Sequence, residues 1–153
     1  MQQIFDLLTA THKRPMYNLD RFVTAQARDY AVALRELRDG RKSSHWMWYI
    51  FPQLASLGSS HRSKFCGLEG LGEAKAYLGH HTLGPRYLAC VEALLAHNGA
   101  PIGEIMGDVD AMKLRSSLTL MDAAGGGPLL SQALDVFYGG TPCDRTVQTL
   151  RDG

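Results

Sequence analysis

Apolar side chains recur every three or four residues between Leu19 and Asp39, a spacing that predicts an amphipathic α-helix. Asn18 is a favourable N-cap, and Gly40 is placed to end the helix as the C′ residue. Gln26 falls in the middle of the apolar arc, where an unpaired buried amide costs roughly 1–3 kcal/mol. We therefore predict that Gln26 either crosslinks the structure or lines a pocket.

Large apolar residues are concentrated in one stretch, which reads Ser44-His45-Trp46-Met47-Trp48-Tyr49-Ile50-Phe51-Pro52-Gln53 and holds both tryptophans. Ser44 is a possible N-cap, and the residue before a proline avoids the α conformation, so a short helix is predicted over residues 45–51. No neighbouring segment shows the period-two alternation of a partner strand. Residues 54–63, which include Gly58-Ser59-Ser60, are predicted to form a loop.

The remaining helices are marked by caps and breakers rather than by long periods. They are predicted from Ser63 to about residue 67, over Gly70–Leu78, from Thr82 towards His97, from Pro101 to Gly107, over 109–123 after the cap Asp108, over Pro128–Tyr138, and over 142–150. The fold class is therefore all-α, a single-domain irregular bundle of six to eight helices of unequal length. Residues 1–17 have no sustained period and are predicted to be an N-terminal arm, with the domain at 18–153.

The helix over 109–123 carries apolar residues on all sides, which predicts a central, largely buried helix. Its polar residues fall in narrow strips, with Asp110, Lys113 and Ser117 on one side and Arg115 and Thr119 on another. Lys113 and Arg115 are candidate anion ligands, since a lysine offers a point charge and an arginine a planar fork. Ion pairing within the protein is the alternative for each.

Composition limits the function classes. The hydrophobic share is 45%, the net charge is +1, and no run approaches the roughly 20 apolar residues of a membrane span, so we expect a cytoplasmic protein without a membrane partner. Nothing in this balance calls for nucleic acid. Cys66, Cys90 and Cys143 are odd in number and widely spaced, which disfavours a disulfide framework and a structural zinc site. We predict no cofactor and no metal.

Charge is unevenly distributed along the chain. Residues 1–68 carry a net charge of +5 and residues 69–153 a net charge of −4, which indicates either complementary packed halves or a cationic cleft. Arg21, Arg28 and Arg35 follow one another at seven-residue spacing on the first long helix. This row is either a solvated surface or a ridge that binds an acidic protein partner.

Several segments occur in a specific order: Arg21-Phe22-Val23, Ala25-Gln26, Gly40-Arg41-Lys42, the block from His45 to Gln53, Glu73-Ala74, and Lys113-Leu114-Arg115-Ser116-Ser117. In this order they resemble an uncharacterised bacterial family, often labelled calpastatin, over residues 18 to about 150. The resemblance implies a mainly α-helical single domain and no established activity. A calpain inhibitor would be a disordered repeat protein, which this composition contradicts.

Two functional hypotheses follow, and whether the protein is an enzyme is left open. In the first, the aromatic block and the 109–123 helix face one pocket for a small, planar, anionic ligand such as a nucleotide-derived metabolite. Trp48 would stack, Gln53 and Lys113 would orient the ligand, Arg115 would hold an anion, Gln26 is a further ligand candidate, and His45 would be the acid or base of a hydrolase. In the second, the protein is an interaction module that docks a partner through Arg21, Arg28 and Arg35.

Overall fold

The computed structural model describes residues 17–58 and 60–153, so the predicted N-terminal arm lies outside the described residues except for Tyr17. All the named secondary-structure elements of the described chain are helices, including one 3₁₀ turn at Ala55–Leu57. Its helices are α1 (Asp20–Asp39), α2 (Met47–Ile50), α3 (His61–Phe65), α4 (Leu71–Gly79), α5 (Leu83–Leu95), α6 (Ile102–Met106), α7 (Asp108–Ala123), α8 (Pro128–Tyr138) and α9 (Asp144–Asp152). These residues form no sheet, and the all-α prediction is confirmed.

Helix α1 keeps the predicted end but not the predicted cap. Leu19 occupies the N-cap position, and the Asn18 side chain instead accepts a hydrogen bond from the Asp20 N–H at 3.0 Å. At the other end Gly40 adopts φ +78°, the left-handed conformation expected of a C′ glycine. The cap is displaced by one residue because Leu19 is itself buried at the start of the core face.

The aromatic block forms a helix of only one turn. Ser44 does not cap it, because its hydroxyl donates to the Glu36 carboxylate at 2.6 Å and Trp46 takes the N-cap position of α2. The predicted helix over residues 45–51 is therefore too long at both ends. Glu36, a residue of α1, organises the entry to the block.

The predicted loop over residues 54–63 is partly structured. Leu54 and Leu68 form an isolated parallel bridge, in which the Ala55 N–H donates to the Leu68 carbonyl at 2.8 Å. A 3₁₀ turn follows, and α3 already begins at His61. The sequence did not reveal this because a single bridge between segments far apart in the chain leaves no local alternation.

Packing places α1 against α5, while α7 contacts α4, α6, α8 and α9. Large side chains fill the space between these helices; the fully buried aromatic residues are Phe22, Trp46, Phe51, Tyr77 and Tyr87. Most of their ring pairs meet edge to face, as in the Phe22–Tyr77 pair at 5.1 Å between centroids, whereas the Trp46 and Phe51 rings are tilted by 53°. The aromatic block is thus largely core.

Helix α7 is central over most of its length but not at its start. Residues Ser116 to Met121 are continuously buried, whereas Val109 is 67% and Met112 73% exposed. The prediction of an all-round buried helix is wrong for the start of α7, because its neighbours cover the side of Ala111 there and leave Val109 and Met112 exposed. The exposed apolar turn contributes to one of the cavities described below.

No helix in the described part of the chain has the length and apolar character that crossing a bilayer would require.

Candidate functional site

The predicted site residues do not share one cavity. Gln53 and Lys113 line one cavity, and His45 lines another. A small crevice beside the first cavity also includes Gln53 and Lys113 and adds Trp48. The prediction of one pocket that contains both His45 and Lys113 is therefore wrong, because His45 lines one cavity with residues of α1 and Lys113, on α7, lines another.

We call the first the α7 cavity. It has a volume of about 250 Å³ and combines an apolar wall with polar groups from three separate segments. Its lining residues are Gln53, Leu57, Val109, Met112, Lys113, Ser116, Cys143 and Arg145. Two cations and no carboxylate are among them, which makes this the more electropositive of the two cavities.

The charge of Lys113 is only partly compensated. Asp110 lies 3.8 Å from the Lys113 ammonium but 2.8 Å from that of Lys42, whose side chain is almost completely buried. The closer and less solvated pair is the stronger one, so Asp110 serves mainly as the counter-ion of Lys42. The positive charge of Lys113 is consequently compensated less than that of Lys42 and can attract an anion into the cavity.

Trp48 and Lys113 are in direct contact. The ammonium lies 5.1 Å from the centroid of the Trp48 ring, within the range of a cation–π interaction. Trp48 is half-buried, unlike Trp46, which is 1% exposed and donates its indole N–H to Glu36 at 3.0 Å. Of the two indoles, Trp48 is the one placed to report on events near Lys113.

Cys143 lies in the α7 cavity at the N-cap of α9. Burial alone would raise the pKa of its thiol, but hydrogen bonding with the Thr146 side chain and backbone N–H, and with Ser116, lowers the pKa below its usual value. Ser116 and Thr146 are also hydrogen-bonded to each other at 2.8 Å. The Cys143 thiol therefore loses its proton more readily than an ordinary cysteine thiol.

The second cavity, which we call the α1 cavity, is larger at about 650 Å³. Residues of α1, of the aromatic block and of α3 line it: Arg21, Ala25, Arg28, Asp29, Val32, Ser44, His45, Trp46, Tyr49, His61, Phe65 and Cys66. Cys66 also lines the crevice that contains Trp48, so this residue lies between the two cavities. The wall of the α1 cavity carries two imidazoles, two guanidinium groups and one carboxylate.

The carboxylate of the α1 cavity is already engaged. Arg28 donates two hydrogen bonds to Asp29 at 3.2 Å, and the Tyr49 hydroxyl donates a short hydrogen bond to the same group. The Arg28 bonds, followed by that of Tyr49, hold the pKa of Asp29 below its usual value. The Tyr49 pKa is raised, first by burial and then by this acceptor.

Glu36 supports the wall of the α1 cavity from behind. Its carboxylate accepts hydrogen bonds from the backbone N–H of Ser43 and of Ser44, from the Ser44 hydroxyl and from the Trp46 indole, all at 2.6–3.0 Å. Burial alone would raise the pKa of Glu36, but these donors together lower it to about 2. Glu36 thereby fixes the backbone that presents His45.

Arg21 is not part of an exposed basic face. Its guanidinium donates to the carbonyls of Phe65, Asn18 and Gly67 at 2.7–2.9 Å and pairs with Glu73 at 3.1 Å. This side chain braces α3 against α1. The predicted docking ridge of three free arginines is therefore wrong, because its first member is bound within the fold.

Gln26 and Arg115 line neither cavity. The Gln26 amide donates to the Tyr49 carbonyl at 2.7 Å and to the Tyr77 hydroxyl at 2.9 Å, so it crosslinks α1, α2 and α4. Arg115 donates from Nε to the Thr141 carbonyl at 2.9 Å and holds the segment between α8 and α9. Of the two alternatives left open for Gln26, the observed contacts are those of a structural crosslink.

Sequence reasoning missed several residues that shape the two cavities. Glu36 lies on the apolar arc of α1, three residues after Ala33, and this position could have marked it as a buried carboxylate. Arg145 and Cys143 gave no comparable signal, because only tertiary packing brings the start of α9 to Lys113.

Among the residues that the structure describes, no group of three histidine, cysteine or carboxylate side chains is arranged to hold a metal ion.

Comparisons with known proteins place the chain in a family without assigning an activity. No curated protein matches it. The crystal structure of the conserved hypothetical protein Rv1873 from Mycobacterium tuberculosis is similar, with 45% sequence identity and a TM-score of 0.85 over 87% of this chain and 96% of that one. The model of a family described as a protein of unknown function matches residues 16–150. The chain therefore belongs to the DUF1810 family, as the motifs of its aromatic block and α7 helix indicated.

Proposed function

We propose that the α7 cavity binds a small organic anion, a carboxylate or phosphate monoester with a short apolar body. The observation that carries this proposal is that Lys113 and Arg145, from helices far apart in the chain, line one cavity without a carboxylate among its lining residues. Both side chains carry a positive charge and no carboxylate lines the cavity, so an anion bound there would be attracted by both.

The rest of the lining fits such a ligand. Leu57, Val109 and Met112 supply apolar surface, and the amide of Gln53 offers both donors and an acceptor. A cavity of about 250 Å³ lies just below the usual range for ligand sites, which favours a molecule smaller than a whole nucleotide. Trp48 would sense the ligand through Lys113 rather than stack on it.

Binding, rather than hydrolysis, is the activity proposed for this cavity. The residue that sequence analysis selected as acid or base, His45, lines the α1 cavity. Arg115, the predicted anion ligand, is held by the Thr141 carbonyl and plays no part here. Lys113 and Gln53 keep their predicted roles, and Arg145 takes the role that had been given to Arg115.

Tryptophan fluorescence tests the proposal. Phenyl phosphate and benzoate should change the emission of the wild-type protein in a saturable manner, whereas neutral benzyl alcohol should not. The signal should disappear in Trp48→Phe, because the indole that remains, that of Trp46, is buried. Binding should weaken at least tenfold in Lys113→Met and in Arg145→Met.

Arg151→Met is the matched control, because Arg151 lies exposed near the end of the same helix as Arg145 and lines no cavity described above. Equal weakening in Arg145→Met and Arg151→Met would overturn the proposal, since the effect would then be one of general charge. Saturable binding of benzyl alcohol with the affinity of benzoate would overturn it as well.

A further inference from the structure

The α1 cavity has features that point to a second ligand of a different kind. Its volume of about 650 Å³ lies in the middle of the range for small-molecule sites. Aromatic and cationic groups are placed at separate parts of its wall, and the segments that carry them are braced by hydrogen bonds. We infer that the α1 cavity binds a nucleoside monophosphate, with the base on the rings of α3 and the phosphate near Arg28 and His45.

The aromatic surface is provided by α3. The rings of His61 and Phe65 are nearly parallel, with 14° between their planes and 6.5 Å between centroids. Phe65 is 59% exposed, although a large apolar side chain is ordinarily buried. Exposed aromatic faces stack on nucleobases with about 1–3 kcal/mol per base, and this contact tolerates any base.

Arg21 fixes that surface relative to α1. Its Nε donates to the Phe65 carbonyl at 2.9 Å, and its Nη2 donates to the Gly67 carbonyl at 2.9 Å. The pair with Glu73 compensates its charge. Arg21 is therefore a positioning residue for the rings and contributes little charge to a ligand.

The cationic part of the wall lies further along α1. Arg28 follows Arg21 by seven residues, which is about 10 Å along a helix and comparable with the extent of a nucleoside monophosphate. The Arg28 side chain is 78% exposed, so its pair with the adjacent Asp29 is of the weak, solvent-screened kind and leaves guanidinium donors for a phosphate. His45 adds an exposed imidazole at the same wall.

The part of the cavity wall formed by α1 and the aromatic block is held in place by hydrogen bonds within the protein. The Tyr49 hydroxyl donates to Asp29, and the Glu36 carboxylate accepts from the backbone N–H groups of Ser43 and Ser44. These groups are bonded to protein, so a ligand would meet a formed surface and would not have to order it. This site is separate from the α7 cavity, and its ligand is larger and carries a planar base.

Calorimetric titration of the whole protein with AMP, GMP, CMP and UMP tests the inference. We expect at least one nucleotide to bind more tightly than both its nucleoside and ribose 5-phosphate, since base and phosphate are held by different groups. Phe65→Ser should weaken the nucleotide and the nucleoside alike, by at least fivefold. Arg28→Gln should weaken the nucleotide by a similar factor and leave the nucleoside unchanged.

Arg35→Gln is the matched control for Arg28→Gln, because it is also exposed on α1, one further seven-residue step along, and does not line the cavity. Lys113→Met, which alters the other cavity, should leave nucleotide binding intact. Failure of all four nucleotides to bind would overturn the inference. So would equal losses in Arg28→Gln and Arg35→Gln, or undiminished nucleoside binding in a folded Phe65→Ser protein.

Discussion

The α7 cavity and the α1 cavity both contain two side chains with permanent positive charge, but the charges differ in what they already contact. In the α1 cavity Arg21 is bonded to three carbonyls and to Glu73, and Arg28 is bonded to Asp29. In the α7 cavity Lys113 shares its one carboxylate with Lys42, which is closer to it. Whether a cavity can bind an anion therefore depends less on how many cations line it than on how many of them still lack a carboxylate or carbonyl partner within the protein.

This difference explains why one cavity is proposed for a small anion and the other for a ligand with a flat ring. In the α1 cavity Arg21 is compensated and Arg28 keeps exposed donors, so recognition must combine stacking on the exposed Phe65 with contacts to Arg28. In the α7 cavity Lys113 is only partly compensated and no carboxylate lines the wall, so charge can dominate through Lys113 and Arg145. Variants that change the support of one cavity while sparing the other can test the contrast.

The largest expected effect is on Glu36, which supports only the α1 cavity. Its pKa of about 2 lies below the ordinary value of 4.5, so the ionised carboxylate stabilises the folded protein by on the order of 3 kcal/mol. This contribution is complete above pH 4.5 and is lost as the pH falls towards 2, because the unfolded chain takes up the proton first. Glu36→Gln should therefore be about 3 kcal/mol less stable in urea at pH 7.

The difference between Glu36→Gln and the wild type should shrink steadily between pH 4.5 and pH 2. Glu92→Gln, an exposed carboxylate of α5, should change stability by less than about 0.5 kcal/mol and provides the control. A difference that stays constant down to pH 2 would show that the loss comes from packing and not from the charged hydrogen bonds. Benzoate binding to the α7 cavity should survive in the folded Glu36→Gln protein.

A smaller effect is expected at Gln26, which sequence analysis had left as either a crosslink or a ligand residue. Gln26→Leu removes the donor to the Tyr49 carbonyl, which still receives a hydrogen bond from the Tyr77 hydroxyl at 3.2 Å. The cost should therefore be at the low end for a buried hydrogen bond, about 1–2 kcal/mol by urea unfolding. Gln132→Leu on the exposed face of α8 is the control.

Both cavities should retain their ligands in Gln26→Leu, since Gln26 lines neither. If the variant instead lost ligand binding at unchanged stability, Gln26 would be a ligand residue and the crosslink assignment would be wrong. This single position thus separates the two readings that periodicity alone could not.

How far the sequence predicted the molecule depended on whether the signal was local. The C-terminal end of α1 and the start of α8 were predicted well, because Gly40 and Pro128 restrict the backbone at those positions. Gln53 and Lys113 were selected by separate inferences about two segments, and tertiary packing brings both to one cavity. The separation of His45 from Lys113 was missed, because it depends on tertiary packing: Glu36 of α1 holds the backbone just before His45, whereas Lys113 lies on α7.

The smallest expected effect concerns the thiols, since each cavity includes one cysteine in a different state. Cys66 in the α1 cavity is buried, whereas Cys143 in the α7 cavity is half-buried with a lowered pKa. Iodoacetamide should therefore alkylate Cys143 first, as peptide mass spectrometry would show.

Thr146→Val removes the hydroxyl that favours the thiolate, so the pH at which alkylation is half-maximal should rise and the rate at pH 7 should fall a few-fold. Thr149→Val, one turn further along α9, should leave the rate unchanged, because the Thr149 hydroxyl donates to the Arg145 carbonyl and does not reach the thiol. Protection of Cys143 by benzoate but not by AMP would place the small anion at the α7 cavity and the nucleotide elsewhere, and protection by both in equal measure would mean that the two cavities do not discriminate as their charges indicate.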